Sequence, residues 1–208
     1  VSAWQSFIDW SEVYNDSISF CFAKATEGVG WTDSYFETNM NQGSNAGIYM
    51  GAYHFATPTA DDAVDEAEYF VSIAGEYISE GNLKPVLDLE QGAELGSSVL
   101  SEWVHDWMET VENQTGVQPI IYVNSNYANN YLDTSVNCYD LWIAHWTYNP
   151  NMNPDTGIWD DWMFWQYSNQ GSVSGISGDV DLDVFNGNLN ELSSYVIGNN
   201  LVYVDDDA

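Results

Sequence analysis

A chain of 208 residues with two basic residues against 32 aspartates and glutamates carries a formal charge of −30. Nucleic acid and anionic membrane surfaces both demand clustered cations, and Lys24 and Lys84 stand far apart, so neither is expected as a partner. Hydrophobic residues make up 45% and aromatics 15%, too apolar for a disordered acidic chain and enough for one domain with a substantial core. No apolar run approaches the ~18 residues of a membrane span, so the chain reads as soluble. The acidic excess suits a surface kept soluble at high salt, or one working at low pH, and the salt reading is preferred; stability is then expected to rise with salt. Cys21 and Cys138 are too few for a disulfide framework. One bridge between them is an option, but the apolar run around Cys21 favours a buried free thiol.

In chain order, Asp9-x-x-Glu12 opens a short helix with Asp in the Ser/Thr place of a capping box. ISFCFAKA (18–25) reads as a strand, and YFETNMNQGSNAG as a helix stopped by Gly47. GIYMGAYHF (47–55) is the next strand. TADDAVDEAEYFVSIAGEYI (59–78) follows as a helix with Ala63, Ala67, Phe70, Val71 and Ala74 on one face. KPVLDLE (84–90) is again strand-like. SSVLSEWVHDWMETVENQTG (97–116) is the clearest helix, with Leu100, Trp103, Val104, Trp107 and Val111 recurring at three and four and Gly116 as its stop. QPIIYVN (118–124), YDLWIAHW (139–146), WMFWQYS (162–168) and DVDLDVF (179–185) complete the strands. Near-continuous apolar strands alternating with helices predict a parallel sheet buried on both faces. Beyond about residue 139 no helix is long enough for a regular crossover. The predicted fold is α/β: a single-domain, irregular β/α (TIM-like) barrel of parallel strands over residues 1–196, its helices mainly in the first two-thirds, followed by an acidic tail over 197–208.

In parallel barrels the active site gathers at the carboxyl ends of the strands. PVLDLE ends there with Asp88 and Glu90, which strand alternation points to one side with Leu87 and Leu89 on the other. Two carboxylates in one space are what glycoside hydrolysis requires, one holding a proton for the leaving oxygen and one stabilising positive charge at the sugar. The other strand ends carry Tyr53, His54, Phe55, Tyr122, Trp146, Gln166, Tyr167 and Asp181. An acidic cleft lined by rings suits a neutral or N-acetylated sugar, since rings pack on pyranose faces while acids and amides bind hydroxyls. Neither a zinc spacing such as HExxH nor a G-x-S-x-G nucleophile turn occurs, and phosphate-loop and dinucleotide fingerprints are missing.

These segments together resemble glycoside hydrolase family 25, the muramidases or lysozymes, across residues 1 to about 188. The matching stretches are VSAWQSFIDW, FAKATEGVGWTDSYFETN, AGIYMGAYHF, PVLDLE, TGVQPIIYVN, LWIAHW, W-x-x-W-x-FWQYS and SGISGDVDLDVFNG. The resemblance implies an irregular β/α barrel that hydrolyses the β-1,4 bond between N-acetylmuramic acid and N-acetylglucosamine in bacterial peptidoglycan, with no metal or organic cofactor. A secreted or phage-released monomer is the expected setting. By motif, Glu90 resembles the general acid and Asp88 the carboxylate that stabilises an intermediate formed with the substrate's N-acetyl group. Asp181 takes a supporting role, and Asp183 stands where Asn is more usual. The family pattern G-x-D-V-S-x-W-Q has an active-site aspartate directly before the valine at which this sequence starts. Asp9, at the start of a helix, does not replace it, which implies either a preceding segment or a weakened enzyme. The alternative reading is therefore a non-catalytic or weakened peptidoglycan-binding or amino-sugar-binding protein of the same fold. A chitinase-like hexosaminidase would carry a longer DxxDxDxE signature, of which only DLE is here.

Overall fold

Along β1 (Phe20–Glu27), Phe20, Phe22 and Lys24 alternate with Cys21, Ala23 and Ala25, and the same alternation divides the whole molecule into two apolar layers. The computed structural model describes residues 1–147 and 152–199. In it, β1 is followed by β2 (Trp31–Thr32), β3 (Tyr49–Phe55), β4 (Val86–Asp88), β5 (Ile120–Asn124), β6 (Leu141–Ala144), β7 (Phe164–Gly171) and β8 (Val180–Phe185). These lie in one curled sheet of order β2-β1-β3-β4-β5-β6-β7-β8. The inner layer holds Phe22, Val86, Ile120, Tyr122, Trp142, Ala144 and Phe164, joined by Leu83, Leu192 and Val196. The outer layer joins Ala23, Ala25, Met50, Ala52, Leu87, Ile121, Val123 and Ile143 to the helices.

Each helix starts and stops for a local reason. Asp9 accepts from the amides of Ser11 and Glu12 and caps α1 (Trp10–Asn15). The next helix, α2 (Phe36–Ala46), ends at Gly47, whose φ of 93° is left-handed. Then α3 (Ala63–Ala74) buries Ala63, Ala67, Phe70 and Ala74. The expected face of α4 (Ser97–Thr115) is buried throughout, from Leu100 to Val111. Two short helices, α5 (Ser125–Asn130) and α6 (Leu189–Ser193), complete the described set. At Gly51 a Cβ would lie 2.5 Å from the Phe22 ring, so the missing side chain lets that ring lie across the strand.

The predicted barrel needs correction. The sheet is open, and two of its pairings are antiparallel, β1 with β2 and β7 with β8. A parallel β7–β8 pair would need a crossover of a dozen or more residues, and the short link between Gly171 and Val180 permits only a reversal. Ile197 donates to the Asn82 carbonyl and accepts from Gly81. Residues 200–208 of the predicted tail, VDDDA included, lie outside the described residues. Cys21 and Cys138 are both free.

Trp103, 2% exposed, inserts its ring between α4 and α3 and donates from Nε1 to Asp62 at 2.8 Å. Trp103→Ala should cost about 3–5 kcal/mol by opening a cavity, read as a lower denaturation midpoint. An unchanged midpoint would show that this face of α4 does not carry the core.

Candidate active site

The register of the central strands brings the acids together. Phe55 on β3 lies beside Asp88 on β4, which lies beside Tyr122 on β5. The Asp88 carbonyl accepts from Ala56, and the Tyr122 carbonyl accepts from Leu89, so the strand end carrying both acids is held from each side. Leu87 and Leu89 enter the outer layer, which turns Asp88 and Glu90 inward as their alternation requires.

They open into a cleft of about 600 Å³, whose lining also includes Lys24, Tyr53, Tyr122, Gln166, Tyr167 and Asp181. Phe55, Trp142, Asp183 and Trp4 contribute to its walls as well. Asp88 is buried, and its Oδ1 meets no hydrogen-bond donor of the protein. Glu90 is exposed. Burial first, then the charge of Glu90, holds the Asp88 carboxyl well above the usual range. Burial and Asp181 raise Glu90. The two carboxyls interact across the cleft, so the pair titrates as a unit. Opposing this, the Lys24 cation pulls both acids down.

Gln166, also buried, accepts through Oε1 from the Tyr122 hydroxyl at 3.1 Å and from Trp146 Nε1 at 2.9 Å. Trp146 is thereby fixed at the rim, 55% exposed and outside the cleft lining proper. Burial drives the Tyr53 and Tyr122 phenols well above their usual range, with Asp88 adding to it, so both remain neutral donors. Asp181 is exposed, and burial of its carboxyl still raises it. Among the described residues no group of His, Cys, Asp and Glu is arranged to hold a metal ion.

One expected cleft residue is misplaced by the sequence reading. His54 is fully buried on the outer face, because its parity on β3 is opposite to that of Tyr53 and Phe55. Its ring stacks on Trp107 at 5.5 Å, meets Thr26 Oγ1 at 2.8 Å, and reaches Glu66 at 2.7 Å. Burial lowers its pKa against the pull of Glu66, so a neutral ring donates from Nε2 to the carboxylate. Glu66 in turn accepts from Thr57 Oγ1 and the Thr57 amide. This network anchors the end of β3 behind the acids and does not touch the cleft.

The residues overlooked in the sequence are Lys24, Trp4 and Asp183. Lys24 shares the parity of Phe20 and Phe22, and that alternation marks it as inward-facing. Trp4 is 92% exposed, held out by a short 3-10 turn that Ser2 caps. Asp183 accepts from Trp142 Nε1 at 2.8 Å, and burial pushes its carboxyl up to about 7. A carboxyl raised in the folded state binds its proton more tightly there than in the unfolded chain. It therefore costs stability as pH rises from about 4 through about 7. Asp183→Asn should stabilise the protein by about 1–3 kcal/mol at pH 8 and by little at pH 4, after allowance for partial exposure. Equal melting temperatures of variant and parent at pH 8 would contradict that assignment.

Comparison with known proteins gives a consistent set of likenesses. The family model described as Glycosyl hydrolases family 25 matches residues 1–176. Lysozyme M1 of Streptomyces globisporus is 35% identical, covering 92% of this chain and 68% of its own length. The protein called Uncharacterized protein YegX of Escherichia coli K12 is 37% identical, covering 95% and 72%. Among solved structures, the bacterial lysozyme of Streptomyces coelicolor superposes with a TM-score of 0.83 at 32% identity, covering 94% of both chains.

Proposed function

The chain belongs to glycosyl hydrolase family 25 and is a glycosidase, and from that premise we propose that it is a muramidase that cleaves the β-1,4 bond between N-acetylmuramic acid and N-acetylglucosamine in bacterial peptidoglycan. The observation that carries this reading is the carboxyl pair at the end of β4, one member buried and one exposed, both lining one cleft with their carboxyls raised.

Glu90 faces the open cleft, and its raised carboxyl is the one placed to give a proton to a leaving sugar oxygen. Asp88 is the deeper acid and becomes the anion when Glu90 holds the proton. Two carboxyls on one face of a strand end, lining one cleft, suit a reaction in which the substrate's own N-acetyl oxygen attacks the anomeric carbon while Glu90 protonates the departing oxygen. Asp88 then stabilises the cyclic cation, and water opens it with Glu90 acting as base. Asp181 contributes charge at the far wall. Tyr53, Phe55, Tyr122, Gln166 and Tyr167 form the sugar-contacting walls, with Trp146 as a platform at the rim and His54 positioning β3 from behind. The expected setting is outside the producing cell, as a secreted or phage-released protein working as a monomer.

Glu90→Gln should lower turnover on purified peptidoglycan by about 100-fold or more with little change in melting temperature, because it removes the acid proton and keeps the shape. Asp181→Asn should lower it less. Muramic acid at the new reducing ends, lost in the Glu90 variant, is the supporting result. Release that persists in the Glu90 variant would overturn the assignment, and glycan binding without release in the parent protein would favour the binding-only reading.

The −30 charge opposes approach to an anionic wall. Raising salt from about 0.05 to 1 M contracts the Debye length to about 3 Å and should increase both activity and melting temperature. A fall in both would argue against adaptation to salt.

A further inference from the structure

Lys24 is one of two cations in a chain of net charge −30, and it lines the cleft of the carboxyl pair. Its side chain is 14% exposed, and the ammonium is held from several sides. Glu27 Oε2 lies 2.6 Å away, and the rings of Phe55 and Trp31 lie with centroids at 4.5 and 5.0 Å. The register of β1 shifts between Lys24 and Thr26, an irregularity of the kind that re-aims a side chain. Phe55, one of the caging rings, is the direct neighbour of Asp88 on the adjoining strand. Lys84, by contrast, pairs with Asp140 at 2.9 Å and does not line the cleft.

We infer that Lys24 is a positioning residue of the acid pair: its caged ammonium, in the cleft that both carboxyls line, favours their ionisation and so sets the pH range in which the pair keeps a single proton. The inference rests on the catalytic reading for its consequence in turnover, but not for the titration itself. A cation in the same cleft favours the charged form of both acids, and the rings fix the ammonium without neutralising it as a second carboxylate would. The other groups that face this centre are Glu27 on β1, Tyr53 on β3, Tyr122 on β5, and Asp181 and Asp183 on β8. Val1 and Cys21 also line the cleft, and the neutral His54 lies behind the sheet. Both phenols are neutral through the working range. Of the charged neighbours, Lys24 is thus the cation lodged within the cluster of acids.

The test compares Lys24→Met, Lys24→Arg and Lys84→Met with the parent protein. Carboxyl resonances of Asp88 and Glu90 are titrated by carbon NMR without substrate, and kcat/KM is measured against pH on peptidoglycan. In Lys24→Met both titration steps should move to higher pH by about half a unit or more, and both limbs of the rate profile should follow. Lys24→Arg should restore the parent values, and Lys84→Met, with the same change in net charge, should not move them. Should Lys24→Met fail to fold, Glu27→Gln carries the test: removing the anion at the ammonium should move both steps to lower pH. Unmoved titrations in Lys24→Met, or equal shifts in Lys84→Met, would overturn the inference. A parent protein that titrates as described yet cleaves no glycan would defeat the muramidase reading and leave the electrostatic role of Lys24 standing.

Discussion

Of the two carboxyls at the end of the central strand, one is buried beside the other's charge, so ionising both is costly, and the rest of the molecule can be read from that constraint. Asp88 sits in the sheet with its backbone locked between β3 and β5, so it cannot swing out to water. Glu90, one pleat further, can. The difference in burial along a single strand holds Asp88 further above its usual range than Glu90 and leaves Glu90 as the carboxyl a substrate can reach. The outer layer serves this arrangement. Leu87 and Leu89 anchor the strand among the helices, and the buried Thr26–His54–Glu66–Thr57 chain fixes the neighbouring strand end. Such a fully bonded polar chain can hold a unique geometry where a purely apolar contact would allow sliding.

Alternation made much of this legible in advance. Strands are the one element in which residue parity predicts side-chain direction, so Asp88 and Glu90 against Leu87 and Leu89 could be assigned to their faces from the sequence. The face of α4 was equally readable, because Leu100, Trp103, Val104, Trp107 and Val111 repeat at helical spacing. The misassignment of His54 broke the same rule: grouped with Tyr53 and Phe55 because all three sit at a strand end, it belongs by parity to the outer layer. Lys24 was passed over for the opposite reason. A lone lysine in an apolar run carries no motif, and its meaning comes from Glu27, Trp31 and Phe55, which approach it only in the fold.

What the sequence could not carry is long-range or very short. The two residues of β2 have no periodicity to detect. The helices α5 and α6 are too short for an apolar stripe to appear. Closure of the sheet depends on hydrogen bonds between its end strands, and no local pattern encodes these. The regular alternation of the first two-thirds suggested a parallel barrel, whereas the short link before β8 makes the last pair antiparallel and leaves the sheet open.

The central claim is that the substrate's N-acetyl group acts as the nucleophile, with Glu90 giving the proton and Asp88 stabilising the cyclic cation. The anomeric configuration of freshly released product, followed by proton NMR on a defined glycan before mutarotation, tests it most directly. The account predicts the β anomer first, from two successive inversions. Initial appearance of the α anomer would contradict it, since that requires a single displacement by water.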